Sequence, residues 1–398
     1  MPVVTAPSIV TDGRLLVPGW VAVAGEAVTA VGEGLPPAEL DAPGPVVQLP
    51  DGLLVPGLVD LQLNGAFGHD LAAADTAAWT EVARRLPETG TTAFVPTYIT
   101  APVGDLARAL RRYAATSPRL AATPGAARSL GVHLEGPFLS VRRRGAHREE
   151  HLLDPTPDRV DALLAAGREH VRYVTLAPER EHGLDAVRRL RAAGVLVSVG
   201  HSDATYAQTE AAAAAGATLV THLFNAQRPL HHRDAGVTVA ALTDERLVSG
   251  LIVDLHHVVP PVVALAFRAA AGRLALVTDA VAAMGMPPGR YELGGEVVDL
   301  APGRPPLRPD GTIAGSALRM DQAIANTVAC GIDLVTAVDA ATRVPAAAMG
   351  RHDLGRIAPG LPADLVWLSD ALSARATWVG GRPAWTDPDR IDMIHAHV

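Results

Sequence analysis

Short apolar runs alternate with amphipathic segments over most of this chain. Several of the runs are continuous strings rich in Val, Leu and Thr, a pattern typical of strands that are buried on both faces of a parallel sheet. Eight such runs end in polar residues, namely Leu53–Leu63, Thr92–Tyr98, Ser129–Glu135, Val171–Leu176, Val195–His201, Ala217–His222, Leu247–Asp254 and Leu274–Asp279.

Most segments between these runs have the spacing of amphipathic helices. They are Thr76–Leu86, Val103–Tyr113, Asp158–Ala166, Leu184–Ala193, Thr205–Ala215 and Pro261–Ala271. We predict that Asp203 caps the fifth of these helices and that Gly194 and Gly216 end the fourth and fifth. Residues 225–245 are less regular and are interpreted as a functional loop. Strand–helix alternation repeated eight times predicts an α/β fold, a (β/α)8 TIM-like barrel.

The two ends of the chain have a different pattern. Short alternating runs such as Trp20–Ala24 and Val46–Leu49 occur before Val55, and similar runs, Asp364–Leu368 and Ala376–Val379, return near the other end. Gly and Pro clusters break them, as in small β structures. We therefore predict a small discontinuous β-sandwich domain made from residues 1–55 and 356–398, and a barrel catalytic domain of residues 56–355.

Composition narrows the class of protein. The chain has 398 residues, of which 48% are hydrophobic and 19% are charged, and its net charge is −8. This balance argues against nucleic-acid and polybasic membrane partners, which need a basic surface. The segment Met1–Val10 lacks the basic start and apolar core of a signal peptide, and no apolar run has the about 18 residues of a membrane span. Cys330 is the single cysteine, and a cytoplasmic location is expected.

The sequence contains no lysine, so its fixed positive charge is entirely arginine. Arginine does not deprotonate in proteins and cannot replace a lysine nucleophile. Schiff-base chemistry, a phosphate-loop lysine and a carbamylated lysine that bridges two metals are therefore excluded.

Polar side chains recur where the predicted strands end, the edge of a barrel at which catalytic groups lie. One such residue is as consistent with a cap as with chemistry, but a full ring is harder to explain by capping. The ring consists of Gln62, Asn64, Thr97, Glu135, Glu179, His201, His222, Asn225, Asp254, His257 and Asp279.

Three members of this ring are suited to hold a metal. His201 and His222 end successive strands, and Glu135 ends the third. Two imidazoles and a carboxylate with an open position form a catalytic zinc-type site. Asp279, at the end of the eighth strand, is placed to take a proton from an activated water and return it to a leaving amine. The alternative for Asp279 is a helix cap, although residues 280–286 do not resemble the start of a helix.

In these residues the sequence resembles the amidohydrolase superfamily and, within it, the N-acetylglucosamine-6-phosphate deacetylase family. The matching segments occur in family order and span nearly the whole predicted barrel. They are Pro56–Gly65 (PGLVDLQLNG), His133–Phe138 (HLEGPF), Gly145–His147 (GAH), Gly200–Thr205 (GHSDAT), Thr221–Ala226 (THLFNA), Val277–Asp279 (VTD) and Gly315–Leu318 (GSAL), with Gly360–Val366 (GLPADLV) in the small domain.

The resemblance implies roles for individual residues. It gives Glu135, His201 and His222 as metal ligands and Asp279 as general base and then acid. It also implies substrate contacts, from His147 near the acetyl carbonyl, from Asn225 and Ala226 to the sugar phosphate, and from Arg233 and His257 to the phosphate, with Gln62 and Asn64 also in the substrate site. Arg233 can then act across a homodimer interface.

The same resemblance implies one divalent metal per subunit. The first strand carries Gln62 and Asn64 where other members of the superfamily have two histidines for a second metal, and amides are poor zinc ligands. We expect Zn²⁺, with Fe²⁺, Co²⁺ and Mn²⁺ as alternatives. The expected reaction is hydrolysis of N-acetyl-D-glucosamine 6-phosphate to D-glucosamine 6-phosphate and acetate.

Two departures from the family pattern leave alternatives open. Leu255 stands where the family has glycine, so His256 competes with His257 as the phosphate ligand. His133 shares a strand with Glu135, and we interpret it as a structural hydrogen-bonding residue. The alternative functions are deacetylation of another amino-sugar phosphate, such as N-acetylgalactosamine 6-phosphate, another N-acyl or cyclic-amide hydrolase, and a non-enzymatic protein derived from such a barrel.

Overall fold

The computed structural model describes residues 3–37 and 46–390. Eight parallel strands pair in chain order to form a barrel. The barrel closes where Leu63 pairs with Ala280, and there the Asp279 N–H donates to the Gln62 carbonyl at 2.9 Å. The strands are Leu58–Leu63, Thr91–Ile99, Val132–Glu135, Val171–Leu176, Leu196–Val199, Leu219–Val220, Val248–Leu251 and Leu274–Leu276.

Helices follow the barrel strands and pack their apolar faces against the main core. The six predicted helices are all present, and the second continues to Ala121 because its apolar spacing persists beyond Tyr113. The described helices are Thr76–Arg85, Val103–Ala121, Pro157–Gly167, Gly183–Ala192, Tyr206–Ala215, Val237–Thr243, Pro260–Ala269, Met320–Ala329, Leu334–Ala341 and Arg343–Ala348. None of these helices has the length and apolarity needed to cross a membrane.

Two local predictions need correction. The cap of helix Tyr206–Ala215 is Thr205, which forms a capping box with Gln208, whereas Asp203 accepts a hydrogen bond from Arg143 at 2.8 Å. A threonine with a glutamine three residues later satisfies two helix-end N–H groups, which a lone upstream aspartate does not. The region 225–245 contains helix Val237–Thr243 and is irregular only before it. Gly194 and Gly216 follow their helices with left-handed backbones, as predicted.

Strands from both ends of the chain form two further sheets that share an apolar core containing Ile9, Val21, Leu54, Trp367 and Trp378. The predicted fold, a barrel with a β-sandwich built from both termini, is confirmed. The four-stranded sheet contains Ala27–Glu33, Gly19–Ala24, Val3–Ala6 and Val46–Gln48, and the six-stranded sheet contains Arg382–Thr386, Ala374–Val379, Leu365–Leu368, Leu53–Pro56, Ile9–Thr11 and Arg14–Leu16. The parts of the predicted small domain at 1–2, 38–45 and 391–398 lie outside the described residues.

The first predicted strand is two strands. Leu53–Pro56 pairs with Leu365–Leu368 in the terminal sheet, and Leu58–Leu63 begins the barrel. Both are fully buried, and the Pro56-Gly57 dipeptide, where the first of them ends, is the turn signal that divides the run. The chain passes between the sheets at Gly57, where an added Cβ would lie 2.0 Å from the Thr92 hydroxyl oxygen.

Short elements complete the described structure. A β-hairpin, Gly289–Leu293 paired with Glu296–Leu300, follows the eighth barrel strand and has its own apolar cluster. The remaining pieces are the strands Gly65–Ala66, His69–Asp70 and Arg128–Ser129, and the 3-10 helices Leu86–Thr89, Val141–Arg143, Glu149–His151, Arg168–His170 and Pro388–Arg390.

Candidate active site

The carboxyl ends of the barrel strands surround a cavity of about 280 Å³. One wall is apolar and contains Ile99, Ile252, Leu293 and Ile313. The opposite side carries the groups that can do chemistry, and these are Asn64, Glu135, His147, His201, His222, Asn225, His257 and Asp279.

Glu135, His201 and His222 converge at the floor of this cavity. The Glu135 Oε1 atom lies 3.2 Å from His201 Nε2 and 2.9 Å from His222 Nε2, and the two imidazole nitrogens are 3.0 Å apart. All three side chains are buried. The sequence placed them on separate strand ends, and the closed barrel brings their donor atoms together.

The hydrogen bond made by Nδ1 of His201 determines which ring nitrogen carries the proton. His201 Nδ1 lies 2.9 Å from the carbonyl of Arg143, and a carbonyl only accepts hydrogen bonds, so Nδ1 donates. In the neutral ring this leaves Nε2 with a lone pair that faces Glu135 and His222. Fixing the tautomer of a histidine through its outer nitrogen is a typical arrangement for metal-ligating imidazoles.

His147 is a fourth donor at this point, and its ligand atom lies within 4.8 Å of those of Glu135 and His201. Its environment differs from theirs. The backbone N–H of Thr100 donates to His147 Nδ1 at 3.3 Å, which makes Nδ1 an acceptor and places the ring proton on Nε2. That Nε2 lies 3.9 Å from Glu135 Oε2. His147 therefore presents an N–H to the site, where His201 presents a lone pair.

Asp279 lies beside this group and is held by two amides. Gln62 Nε2 and Asn64 Nδ2 both donate to Asp279 Oδ1, at 3.0 and 2.7 Å, and Gln62 Nε2 also lies 3.2 Å from Glu135 Oε1. No described residue donates to Oδ2, which is left available. Burial raises the pKa of Asp279 to about 7, and the negative charge of Glu135 adds to this effect.

Burial and neighbouring charges also shift the pKa values of the other titratable groups in the site. Burial raises the pKa of Glu135, but its contacts with His201 and His222 outweigh burial, so the pKa falls well below the usual value. Burial lowers the pKa of His222, and the hydrogen bond and charge of Glu135 more than offset this and raise it. Burial lowers the pKa of His147 to about 3, so that ring is neutral.

Several of these residues have strained backbones. His201, His222 and Asp279 have φ values of 47°, 28° and 50°, and Ala226 has 49°. Non-glycine residues in the left-handed region cost on the order of 1–3 kcal/mol each and cluster at functional sites. The barrel supplies the packing that maintains these conformations.

The remaining predicted residues occupy different depths. Asn225 and Ala226 line the cavity, and the Asn225 side chain donates to the carbonyls of His222 and Leu223 at 3.3 Å each. Gln62 lies beneath the cavity and bonds the two carboxylates. Arg233 is exposed, and its Nη1 lies 2.9 Å from His232 Nε2. Among the described residues that line the cavity there is no arginine.

The two histidines after the seventh strand differ in exposure. His257 lines the cavity, with its Nδ1 2.7 Å from Asp254 Oδ2, whereas the His256 side chain is exposed. Leu255 adopts a φ of 66°, the conformation that the glycine of the family would take without strain. Asp254 itself acts as an anchor for this turn, because its Oδ1 accepts from both His256 and His257 N–H groups.

Three other strand-end residues support the site from outside the cavity. Thr97 bonds His133 Nδ1 at 3.0 Å, and Thr175 bonds His133 Nε2 at 2.7 Å, so both nitrogens of His133 are occupied inside the barrel. Glu179 accepts from the Ser202 hydroxyl and the Asp203 N–H, at 2.7 and 2.6 Å, and so fixes the turn after His201.

Thr100 was not singled out from the sequence. The second strand continues to Ile99, one residue beyond its predicted end, so Thr100 and not Thr97 is the polar residue at its edge. Thr100 is the next polar residue after Thr97 in the sequence and could have been considered. A strand end that is misplaced by one residue assigns the side chains to the wrong faces, so Thr100 was missed.

A larger cleft of about 410 Å³ lies between helix Val103–Ala121 and the terminal sheet. Its three described arginines are already paired with acids, Arg128 with Asp364, Arg351 with Asp353 at 2.7 Å and Arg382 with Glu26 at 3.1 Å. The smaller cavity at the barrel mouth is the candidate active site because it contains the converging donors and the aspartate with a raised pKa.

Comparisons with known proteins agree with this geometry. The model of the amidohydrolase family matches residues 53–384. N-acetylglucosamine-6-phosphate deacetylase of Bos taurus is 39% identical over 346 residues, 84% of this chain and 83% of that protein. N-acetylgalactosamine-6-phosphate deacetylase of Escherichia coli O157:H7 is 37% identical over 334 residues, 83% of this chain and 88% of that protein.

A solved structure shares the whole fold. A mutant of N-acetyl-D-glucosamine-6-phosphate deacetylase from Mycobacterium smegmatis, in complex with N-acetyl-D-glucosamine-6-phosphate, superposes with a TM-score of 0.88 and 38% identity, covering 97% of this chain and 99% of that one. The resemblance seen in the sequence motifs is therefore confirmed. This chain belongs to the amidohydrolase family and, within it, to the relatives of N-acetylglucosamine-6-phosphate deacetylase.

Proposed function

We propose that this protein hydrolyses N-acetyl-D-glucosamine 6-phosphate to D-glucosamine 6-phosphate and acetate. The observation that carries the proposal is the convergence of Glu135, His201 and His222 beside Asp279 in one cavity at the barrel mouth. The names of the relatives support the substrate class. The galactosamine epimer is the second candidate, because one relative of similar identity acts on N-acetylgalactosamine-6-phosphate.

Glu135, His201 and His222 would hold one divalent metal ion, and we propose zinc, with Fe²⁺, Co²⁺ and Mn²⁺ as alternatives. Their donor atoms are 2.9–3.2 Å apart, close to the about 3.3 Å edge of a tetrahedron of ligands around zinc. His147 could also offer a ligand atom, but its Nε2 lies 3.9 Å from the nearest Glu135 oxygen, farther than the other two imidazoles, so we leave it out of the ligand set. When bound, the metal supplies Lewis acidity that makes water nucleophilic near neutral pH.

Asp279 is the proposed general base and acid. Burial raises its pKa and no described residue donates to its Oδ2, so it can accept a proton from the attacking water and return it to the leaving amine. Both amide hydrogen bonds fall on Oδ1, so Oδ2 is the atom that takes the proton. We assign Gln62 and Asn64 the role of orienting this carboxylate, in addition to the substrate contacts that the resemblance implies.

The remaining residues bind the substrate in this proposal. The His147 Nε2–H donates to the acetamide carbonyl oxygen and stabilises the negative charge that develops there. Asn225 and Ala226 contact the sugar phosphate. Asp254 accepts from His257 Nδ1 and so orients the ring, which contacts a phosphate oxygen through its Nε2 side.

A homodimer would complete the phosphate site. The described cavity lining contains no arginine, and Arg233 is exposed in a loop that does not reach the cavity of its own chain. We propose that Arg233 enters the cavity of a partner subunit and pairs with the phosphate there.

Mixed dimers test this arrangement. Asp279→Asn and Arg233→Ala chains are co-expressed with different tags, and the hybrid dimer is isolated. Action across the interface gives the hybrid one intact site and about half of wild-type activity at low substrate concentration. Action within a chain leaves both sites defective, and a hybrid no more active than its parents contradicts the proposal.

Two further assignments complete the proposal. We retain residues 1–55 and 356–398 as a small domain and 56–355 as the catalytic barrel, supported by the separate apolar core that the terminal sheets share. We also propose a cytoplasmic location, because a phosphorylated sugar does not cross a lipid bilayer unaided and the enzyme must act where that sugar is made. Cell fractionation tests the location.

Acetate release from a small panel tests the function. The panel contains the 6-phosphates of N-acetylglucosamine and N-acetylgalactosamine, unphosphorylated N-acetylglucosamine and an N-acetylamino acid, each with and without chelator. We expect the glucosamine phosphate to have the highest kcat/KM. Preference for the galactosamine phosphate selects the second candidate, equal use of unphosphorylated sugar indicates another N-acyl hydrolase, and no hydrolysis at all indicates a non-enzymatic protein.

A further inference from the structure

The hairpin after the eighth barrel strand covers one side of the cavity. We define the hairpin segment as residues 289–313, in which Leu307 pairs with both Asp299 and Ile313. Leu293 and Ile313 from this segment line the cavity. We define the His147 loop as residues 140–148, which follow the third barrel strand and face the hairpin segment.

Arg308 joins the hairpin segment to the His147 loop. Its Nη1 donates to the Ala146 carbonyl at 2.7 Å, and its Nη2 lies 2.6 Å from Glu296 Oε2. The Ala146 carbonyl belongs to the peptide group that also contains the His147 nitrogen. This hydrogen bond therefore fixes the orientation of the peptide group that precedes the Cα atom of His147, and with it the direction in which the His147 side chain leaves the backbone.

Glu296 makes a second connection on the other side of His147. Its Oε1 lies 3.1 Å from Nε of Arg148, the next residue in the loop. One carboxylate thus links an arginine of the hairpin segment to an arginine of the loop, and the two contacts flank His147 in the chain. Charge-assisted hydrogen bonds of this kind are short and directional.

The link is more enclosed than an ordinary surface pair on the same hairpin. Arg308 and Glu296 are 18% and 24% exposed, whereas Arg290 and Asp299 are 73% and 53% exposed and 3.4 Å apart. Ala146 also packs against the apolar cluster of the hairpin, which includes Leu293 and Val298. Exposed pairs contribute little, so Arg290 provides a matched control.

We propose that Arg308 and Glu296 are positioning residues that hold His147 in place for its contact with the acetamide carbonyl. The proposal rests on the proposed function for the role of His147. It predicts that the hairpin segment affects turnover through His147, since neither side chain contacts the metal ligands or Asp279 in the described structure.

Kinetics of Arg308→Met, Glu296→Gln and the control Arg290→Met test the proposal. We expect a fall in kcat of about tenfold or more for the first two, a change in KM of less than about threefold, and near wild-type values for Arg290→Met. In a His147→Ala background, Arg308→Met should lower kcat by less than about threefold. Full multiplication of the two single losses, or an equal loss in Arg290→Met, overturns the proposal.

Hydrogen–deuterium exchange of the His147 loop gives a measurement that needs no substrate. Faster exchange of peptides covering residues 140–148 in Arg308→Met, but not in Arg290→Met, is expected, with unchanged metal content. Unchanged exchange in Arg308→Met overturns the link. A wild-type protein that releases no acetate from any amino-sugar phosphate refutes the proposed function, and the exchange result still decides whether the hairpin segment holds the loop.

Discussion

Asp279 shows how burial and one neighbouring charge prepare a carboxylate for proton transfer. An exposed aspartate titrates near pH 4, which makes it a weak base for taking a proton from water near neutral pH. Removal from water and the charge of Glu135 raise the pKa of Asp279 to about 7. Gln62 and Asn64 fix its orientation without neutralising it.

Replacing Asp279 by Asn removes the proposed proton acceptor while the rest of the site is expected to stay assembled. Asparagine offers its Oδ1 to the same two amide donors, so the fold and metal content are expected to persist. Loss of the base should lower kcat on the order of 10²–10⁴-fold. Acetate release and metal analysis on the same sample provide the measurement, and turnover close to wild type would remove Asp279 from its proposed role.

Asp60 is a second buried carboxylate, and it is structural. It accepts from the Thr278 hydroxyl at 2.5 Å and from the Gln62 and Thr278 N–H groups at 3.2 Å, across the seam where the barrel closes. Burial raises the pKa of Asp60 to about 6, despite these hydrogen bonds. Because the folded state holds a proton that the unfolded state releases near pH 4, Asp60 makes the fold less stable as pH rises from about 4 to about 6.

Asp60→Asn should remove this part of the pH dependence. The Asn oxygen can accept from both N–H groups, and its NH2 can donate to the Thr278 hydroxyl, which turns to the Gln62 carbonyl 3.2 Å away. Linkage on the order of 2 kcal/mol over this range predicts that the Tm of the variant, relative to wild type, rises by about 2–4 °C between pH 4.5 and pH 7.

Thermal unfolding of both proteins at the two pH values measures this shift. Asp299→Asn on the exposed hairpin is the control and should show no comparable change. A Tm difference between Asp60→Asn and wild type that is the same at both pH values would count against the linkage.

At the scale of elements, the metal ligands depend on how closely neighbouring strands approach. Gly200, just before His201, lies against the sixth barrel strand and the Thr175 side chain. An added Cβ would be 2.7 Å from Thr221 Cβ and 2.8 Å from Thr175 Cγ2. Thr221 cannot move away easily, since its hydroxyl is 2.6 Å from both Thr175 Oγ1 and Ser198 Oγ.

Gly200→Ala is therefore expected to push His201 away from His222. Overpacking of this kind typically costs about 1–3 kcal/mol. We predict a lower Tm, metal content clearly below one per chain and a matching loss of activity. Gly104→Ala is the control, because Gly104 is helical and the nearest atom to an added Cβ is Arg108 Nη1 at 3.9 Å.

Comparison of these two variants tests whether the close approach of the strands sets the geometry of the metal ligands. Gly104→Ala should be neutral or slightly stabilising, since alanine is the better helix former. Full metal content in Gly200→Ala would show that the strands tolerate a methyl group and that their close approach does not set the ligand geometry.

At the scale of the whole molecule, the metal ties strands from different parts of the chain. Glu135, His201 and His222 are contributed by three strands, and their donor atoms repel one another unless a cation or proton lies between them. Any ligand that binds only the folded state adds stability that grows with the logarithm of its concentration relative to its dissociation constant.

Metal removal should thus affect both activity and stability. Dialysis against a chelator is expected to abolish acetate release and lower Tm by several degrees, and addition of one equivalent of Zn²⁺ should restore both. Incubation with metal-saturated chelator is the control. Full activity in protein stripped to below about 0.1 metal per chain would contradict a catalytic metal.

Much of the site could be predicted from the sequence because the catalytic groups of a barrel lie at the ends of its strands, which the sequence pattern locates. Strand ends lie at one edge, so Glu135, His201, His222 and Asp279 could be grouped before any coordinates. The predictions failed where two structures share one pattern. The run Leu53–Leu63 is buried in both sheets and is predicted as one strand despite Pro56 and Gly57 within it, and Asp203 resembles a cap although Thr205 is the cap.

The sequence alone determined the fold class, the lysine-free chemistry and the identity of the candidate ligands, because these depend on composition and on the order of short apolar runs. Only the tertiary structure decided which neighbours support them. The placement of His257, and not His256, in the cavity lining, the hydrogen bond from Thr100 to His147 and the Arg308–Glu296 link all depend on turns whose conformations local sequence does not specify. The physical reason is that such contacts form between segments distant in the chain, after packing has fixed the distances between them.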